Sequence, residues 1–154
     1  MRVQRWRDPH SGRDVWLLQA AGVEEWPGEL PWAAAGFALL FAADHAVDAE
    51  SIAEDAVARG AAFVCTWGPG CSMVEETFDD AIASSGQPET KDDVVLTTSH
   101  AYESLEEALE FFLDAATPSR GRAAGCEAWF VFAVGSGLGE RFERALRRRG
   151  AALV

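Results

Sequence analysis

The sequence predicts an α/β fold: a doubly wound, Rossmann-like and mainly parallel sheet with helices on both faces. Three observations carry this prediction. Residues 36–43 (GFALLFAA), 61–66 (AAFVCT), 93–98 (DVVLTT) and 127–134 (EAWFVFAV) are short, nearly continuous apolar runs, the pattern of strands buried on both faces. Segments of helical period follow each of them, so the order is strand–helix four times. The chain is 154 residues long, with 49% hydrophobic and 25% charged residues, which suits one domain over 1–154 with a sizeable core.

Each element has a local reason. Residues 1–34 read as an N-terminal extension: a polar, Arg-rich start, an extra edge strand at 14–19 (DVWLLQ), and a Trp/Pro loop at 22–32. In the first helix Ala49, Ile52, Ala53, Ala56 and Val57 share a stripe, with Asp48 as N-cap and Gly60 just beyond the end. The second aligns Val74, Phe78, Ala81 and Ile82, with Ser72 and Glu75 as a capping box and Gly86 as terminator. The third aligns Leu105, Ala108, Leu109 and Phe112 behind a second box, Ser104 with Glu107. The fourth aligns Leu138, Phe142, Ala145 and Leu146, and its final Arg147, Arg148 and Arg149 suit the negative end of a helix dipole. Residues 151–154 supply a last strand.

Charge narrows the function classes. Of the net −12, residues 14–119 hold 21 acids against Arg59 and Lys91, while both ends are basic. An acidic body repels phosphate backbones, so nucleic acid is not an expected partner. A protein with a basic surface is, because complementary charge speeds encounter. The basic ends are expected either to fold back on the acidic helices or to mediate self-association. The longest apolar stretch, 31–43, is too short to span a bilayer. The first thirteen residues do not resemble a signal peptide, and three cysteines suit a reducing compartment, so a cytoplasmic location is expected.

Ligands of open α/β sheets sit outside the carboxyl ends of the strands. There the sequence gathers Asp44 and His45, then Trp67, Gly68 and Cys71, then Thr98 and His100, then Gly135, Ser136 and Gly137. Cys71 at a helix start, with His100 as base and Asp44 to orient it, would make a covalent catalytic unit. The plainer reading makes Cys71 a small helix-entry residue and His100 a cap. Gly135-Ser136-Gly137-Leu138-Gly139 follows a strand and opens a helix, the context of a phosphate-binding turn. Its glycine spacing departs from the dinucleotide fingerprint and it lacks the P-loop lysine, so a tight turn explains it as well. His45, Trp67, Gly68, Thr98 and Gly135–Gly137 are the expected ligand contacts. A metal would need Cys65, Cys71, His45 and His100 to converge, and the C-x5-C spacing is not a zinc pattern, so neither metal nor cofactor is expected. Trp26 and Trp32, flanking the Pro-rich loop, either cap the core or form an aromatic docking surface.

Trp67-Gly68-Pro69-Gly70-Cys71, Phe78-Asp79-Asp80, the run from Val94 to His100, and Glu103-Ser104-Leu105-Glu106-Glu107 together resemble a family of small uncharacterised bacterial proteins. Its pattern is strand-WGxxC, an acidic helix, TTWH, then an E-x-L-x-E helix. The resemblance spans about residues 60–118 and departs at Ser99, where the pattern has tryptophan. It implies a bacterial, cytoplasmic domain of unknown function and favours the Cys71–His100 rim as the place of a site.

Two functions follow as expectations. The first is an acidic binding or accessory protein, immunity-like or defence-associated. The second is a small-molecule or nucleotide-binding enzyme or sensor that uses the Cys–His rim, with a phosphate-bearing ligand at the Gly135 turn.

Overall fold

The computed structural model describes residues 1–32, 35–87 and 89–154. Ala33 and Ala34 of the apolar stretch, and Pro88 of the connection after the second helix, lie outside the described residues. The chain is α/β. In order it forms β1 (Arg2–Asp8), β2 (Arg13–Ala20), a 3-10 turn (Val23–Glu25), β3 (Gly36–Ala43), α1 (Glu50–Ala58), β4 (Ala61–Trp67) and α2 (Cys71–Ser84). There follow β5 (Leu96–Ser99), α3 (Leu105–Glu110) running into a π-helical turn (Phe111–Ala115), α4 (Arg120–Ala123), β6 (Cys126–Val134), α5 (Leu138–Arg148) and β7 (Ala152–Leu153).

All seven strands join one sheet in the order β5-β4-β3-β6-β2-β1-β7. The sheet is mixed, which corrects the expectation of a mainly parallel one. β5–β4, β4–β3, β3–β6 and β6–β2 pair in parallel, whereas β1 runs antiparallel to both β2 and β7. The 14–19 strand is therefore interior, between β6 and β1, and not at an edge. The reason is β1, which the Arg-rich composition of residues 2–8 conceals. Its buried side chains are Gln4, Trp6 and Asp8, while the alternate Val3, Arg5 and Arg7 face outward. A tight turn, with Gly12 N–H donating to the Asp8 carbonyl at 2.8 Å and Gly12 at φ 75°, returns the chain to β2.

The continuous apolar runs divide by parity, as strand geometry requires. Ala38, Leu40 and Ala42 of β3, with Trp129, Val131 and Ala133 of β6, join a core against α3, the π turn and α5. Phe37, Leu39 and Phe41, with Ala128, Phe130, Phe132 and Val134, join the opposite core against α1 and α2. On that second face the Trp loop takes the place of a helix. Trp26 packs on Phe132 at 5.2 Å between ring centroids, and Trp32 packs on Phe130 at 4.9 Å. Trp26 Nε1–H donates to Asp55 at 2.7 Å, tying the loop to α1. Both tryptophans thus act as core caps.

Caps differ in detail from expectation. The Ser104–Glu107 capping box forms. At α1 the Asp48 carboxylate accepts from Glu50 N–H at 3.0 Å, while the cap residue itself is Ala49. At α2 the cap is Gly70, at φ 75°, and the Ser72–Glu75 box is replaced by a turn in which Cys71 N–H donates to the Gly68 carbonyl at 3.1 Å. Phe112 lies in the π turn beyond α3 and remains fully buried.

The basic ends reach the acidic α3 region and the neighbouring strands, and among the described residues none of their ion pairs reaches α1 or α2. Arg5 and Arg7 pair with Asp14, Arg2 with Glu143, and Arg148 with Glu106. Arg13 lies 3.6 Å above the Trp129 ring, and Arg147 lies 5.1 Å above Trp6. Arg149 bridges fully buried Asp8 at 2.9 Å and Asp114 at 2.7 Å, which joins β1, the π turn and the end of α5.

Candidate functional site

The parallel strands bring the expected rim residues to one edge of the sheet, and they fall into two groups. At the boundary between β3 and β6, Asp44 N–H donates to the Val134 carbonyl at 3.2 Å and Gly135 N–H donates to the Ala20 carbonyl at 2.9 Å. Asp44 bonds its neighbour His45, Oδ1 to Nδ1 at 2.6 Å, and not His100. Gly135 has φ 137°, and a side chain there would collide with the Asp44 carboxylate. Gly139 is likewise required because Gln19 fills the space a Cβ would need. Packing therefore accounts for the glycines at both positions. A carboxylate against Gly135 and Glu140 in the first turn of α5 put negative charge where a phosphate would approach. Gly137, at φ 76°, is the α5 cap, and nothing crowds it.

The second group joins the ends of β4 and β5 through Thr66, a fully buried residue that the sequence does not flag. Its hydroxyl donates to the Cys71 carbonyl at 2.9 Å, and its own carbonyl accepts from His100 N–H at 2.9 Å. Cys71 is 3% exposed and His100 5% exposed. The His100 ring is held on both nitrogens: Nδ1 to Glu103 Oε2 at 2.6 Å and Nε2 to Thr98 Oγ1 at 2.9 Å. The Nδ1–H tautomer satisfies both partners, donating to Glu103 and accepting from Thr98. The ring also packs 4.7 Å from Phe111 at the start of the π turn. No hydrogen bond joins Cys71 to His100 among the described residues; the His100 ring cross-links Thr98 and Glu103 within the β5–α3 segment, while its backbone N–H ties that segment to β4. Glu103, three residues after His100, is the partner that spacing alone leaves unseen.

Because the ring is buried and bonded on both sides, His100→Ala is expected to cost about 1–3 kcal/mol. Urea unfolding measures this, and a loss near zero would contradict the cross-link.

Trp67 Nε1–H donates to the Glu103 carbonyl at 2.8 Å, and the Arg141 guanidinium lies 5.6 Å above its ring. Beside it a pocket of about 330 Å³ opens, lined by residues 67–73, Ala101 and Glu103. Met73, 66% exposed, is one of the lining residues, and Tyr102, fully exposed, lies in the chain between Ala101 and Glu103.

The other thiols are not poised as nucleophiles. Burial pushes Cys65 up to about 12 and Cys126 up to about 11. Among the described residues no three His, Cys, Asp or Glu side chains are grouped to hold a metal ion. No helix of the described residues is long and apolar enough to cross a membrane.

A groove lies away from this rim, between α1 and α2. Its volume is about 630 Å³, and Asp48, Glu50, Glu54 and Asp80 line it over a floor that includes Val57 and Ala81. Among the described residues no basic side chain lines it. The two helices carry seven carboxylates and no Lys, Arg or His. Among the described residues only one of these seven, Asp55, has an ion-pair partner, Arg59. A second groove of about 400 Å³ shares Asp48 and follows the other side of α1 beneath Trp26.

No curated protein and no solved structure matches the chain. Over residues 17–144, most of its length, the chain matches the family described as Domain of unknown function (DUF7684), and it belongs to that family.

Proposed function

We propose that the protein is an acidic binding module of the bacterial cytoplasm, whose α1–α2 face docks onto a protein with a basic surface. The observation that carries this reading is the α1–α2 groove, with four lining carboxylates and no lining base among the described residues. The separation of charge supports it: Arg2, Arg5, Arg7, Arg148 and Arg149 of the two ends pair with Glu143, Asp14, Glu106, Asp8 and Asp114, none of which lies on α1 or α2. The scaffold suits a rigid docking face. Strands β5-β4-β3-β6-β2 form a doubly wound, Rossmann-like unit with helices on both sides, onto which the β1–β7 edge is added. An accessory or immunity-like role, in which an acidic protein covers the basic working surface of another, fits this chemistry.

Affinity capture from cells of the host, repeated with Glu50→Lys/Glu54→Lys/Asp80→Lys, tests the reading. A basic protein retained by the parent, released by salt and lost with the triple variant is the expected result. Retention by the triple variant equal to that of the parent would refute it.

A further inference from the structure

Outside the chain ends and the β1–β7 edge, Met73 and Tyr102 are the large apolar side chains left exposed among the described residues. Exposed apolar groups of this size are ordinary one at a time, but Met73 lines a pocket together with Trp67. Met73 is in the first turn of α2, and Tyr102 sits between the pocket-lining Ala101 and Glu103. The pocket is lined by Trp67, and aromatic and methionine surfaces around a concavity are the usual seat of an anchoring side chain.

α2 connects this pocket to the acidic groove. Met73 and Asp80, seven residues apart, lie on one stripe of the helix, and Asp80 lines the groove while Met73 lines the pocket. The occupant must supply positive charge, because the groove is lined by four carboxylates.

We infer that the Trp67–Met73 pocket seats one apolar anchor residue of a basic protein segment that runs along α2 into the α1–α2 groove. This rests on the acidic-face reading above and specifies what that face recognises. From Met73 to Ser84 the helix rises roughly 16 Å, which an extended chain spans in about five residues. The recognised segment is therefore short, with one large apolar side chain at one end and basic residues alternating beyond it.

The test uses synthetic hexapeptides of one phenylalanine followed by alternating arginine and alanine, made in both chain directions. Controls replace the phenylalanine with serine. Fluorescence anisotropy at low ionic strength reads the binding. One anchored direction is expected to bind about tenfold tighter than its serine control. Met73→Ser, at an exposed position, should erase that difference while keeping the weaker binding. Glu50→Lys/Glu54→Lys/Asp80→Lys should weaken anchored and control peptides alike. Equal binding of anchored and control peptides would overturn the anchor pocket and leave the acidic face standing. Binding that the triple reversal does not change would overturn the acidic-face reading itself.

Discussion

Arg149→Met is expected to destabilise the protein by about 3–5 kcal/mol, the cost of leaving a buried charge without its partner. Asp8 is fully buried on β1, and it keeps its charge because Arg149 Nη2 donates to it at 2.9 Å and Ser11 supplies two further donors, N–H at 2.9 Å and Oγ at 2.6 Å. Burial alone would raise the Asp8 pKa, but the Arg149 and Ser11 hydrogen bonds outweigh it and hold the carboxyl below its ordinary value. Asp114 is also lowered, chiefly by its hydrogen bond to Arg149. Groups with depressed folded-state pKa values stabilise the fold above the ordinary carboxylate range of about 4, and that stability is lost as pH falls through the lower folded values. Thermal melts of the parent should therefore fall steeply below about pH 4. Arg149→Met, which lacks the cation that depresses both carboxyls, should show a shallower acid loss from a lower starting point. Parallel pH profiles for the two proteins would refute this linkage.

Phe112→Ala and Phe130→Ala are each expected to cost about 3–5 kcal/mol, a large share of a typical stability of about 5–15 kcal/mol. Both side chains are fully buried, on opposite faces of the sheet. Phe112 meets Trp129 edge-on at 5.2 Å, so its loss opens a cavity under the π turn. Phe130 stands between Trp26 and Trp32 at 5.6 and 4.9 Å, and its truncation should also loosen the Trp loop. Denaturant unfolding should show the full loss for both, with a rise in Trp26 and Trp32 solvent quenching only for Phe130→Ala. A loss below about 1 kcal/mol at either position would contradict the two-sided core.

Much of this fold was legible in the sequence, for physical reasons. The runs at 36–43 and 127–134 are apolar at both parities because both faces of β3 and β6 are covered, and a strand with one wet face would alternate instead. β1 was illegible because only one of its faces is buried, and that face holds Gln4 and Asp8 beside Trp6. Its burial depends on Arg149, 141 residues away, which no local pattern contains. The same limit applies at the rim. Position after a strand placed Asp44, Cys71 and His100 at one edge, yet spacing could not show that Asp44 turns to His45 or that Glu103 and Thr98 occupy both nitrogens of His100. At the glycine turn, likewise, spacing could not show that Gly135 and Gly139 leave room for Asp44 and Gln19, neighbours distant in sequence. The concentration of acid between residues 14 and 119 was plain, whereas its gathering on α1 and α2 depended on where the arginines found partners.

Docking through the acidic face is tested most directly by setting that face against the rim in one measurement. Binding of the captured basic partner is titrated against three proteins by calorimetry: the parent, Glu50→Lys/Glu54→Lys/Asp80→Lys, and His45→Ala. The triple reversal, at exposed or groove-lining positions, is expected to weaken binding by at least about a hundredfold, or about 2.7 kcal/mol, while His45→Ala, on the rim and outside both the groove and the Trp67 pocket, binds as the parent does. Parent-like binding by the triple variant together with loss in His45→Ala would contradict acidic-face docking and move the function to the rim.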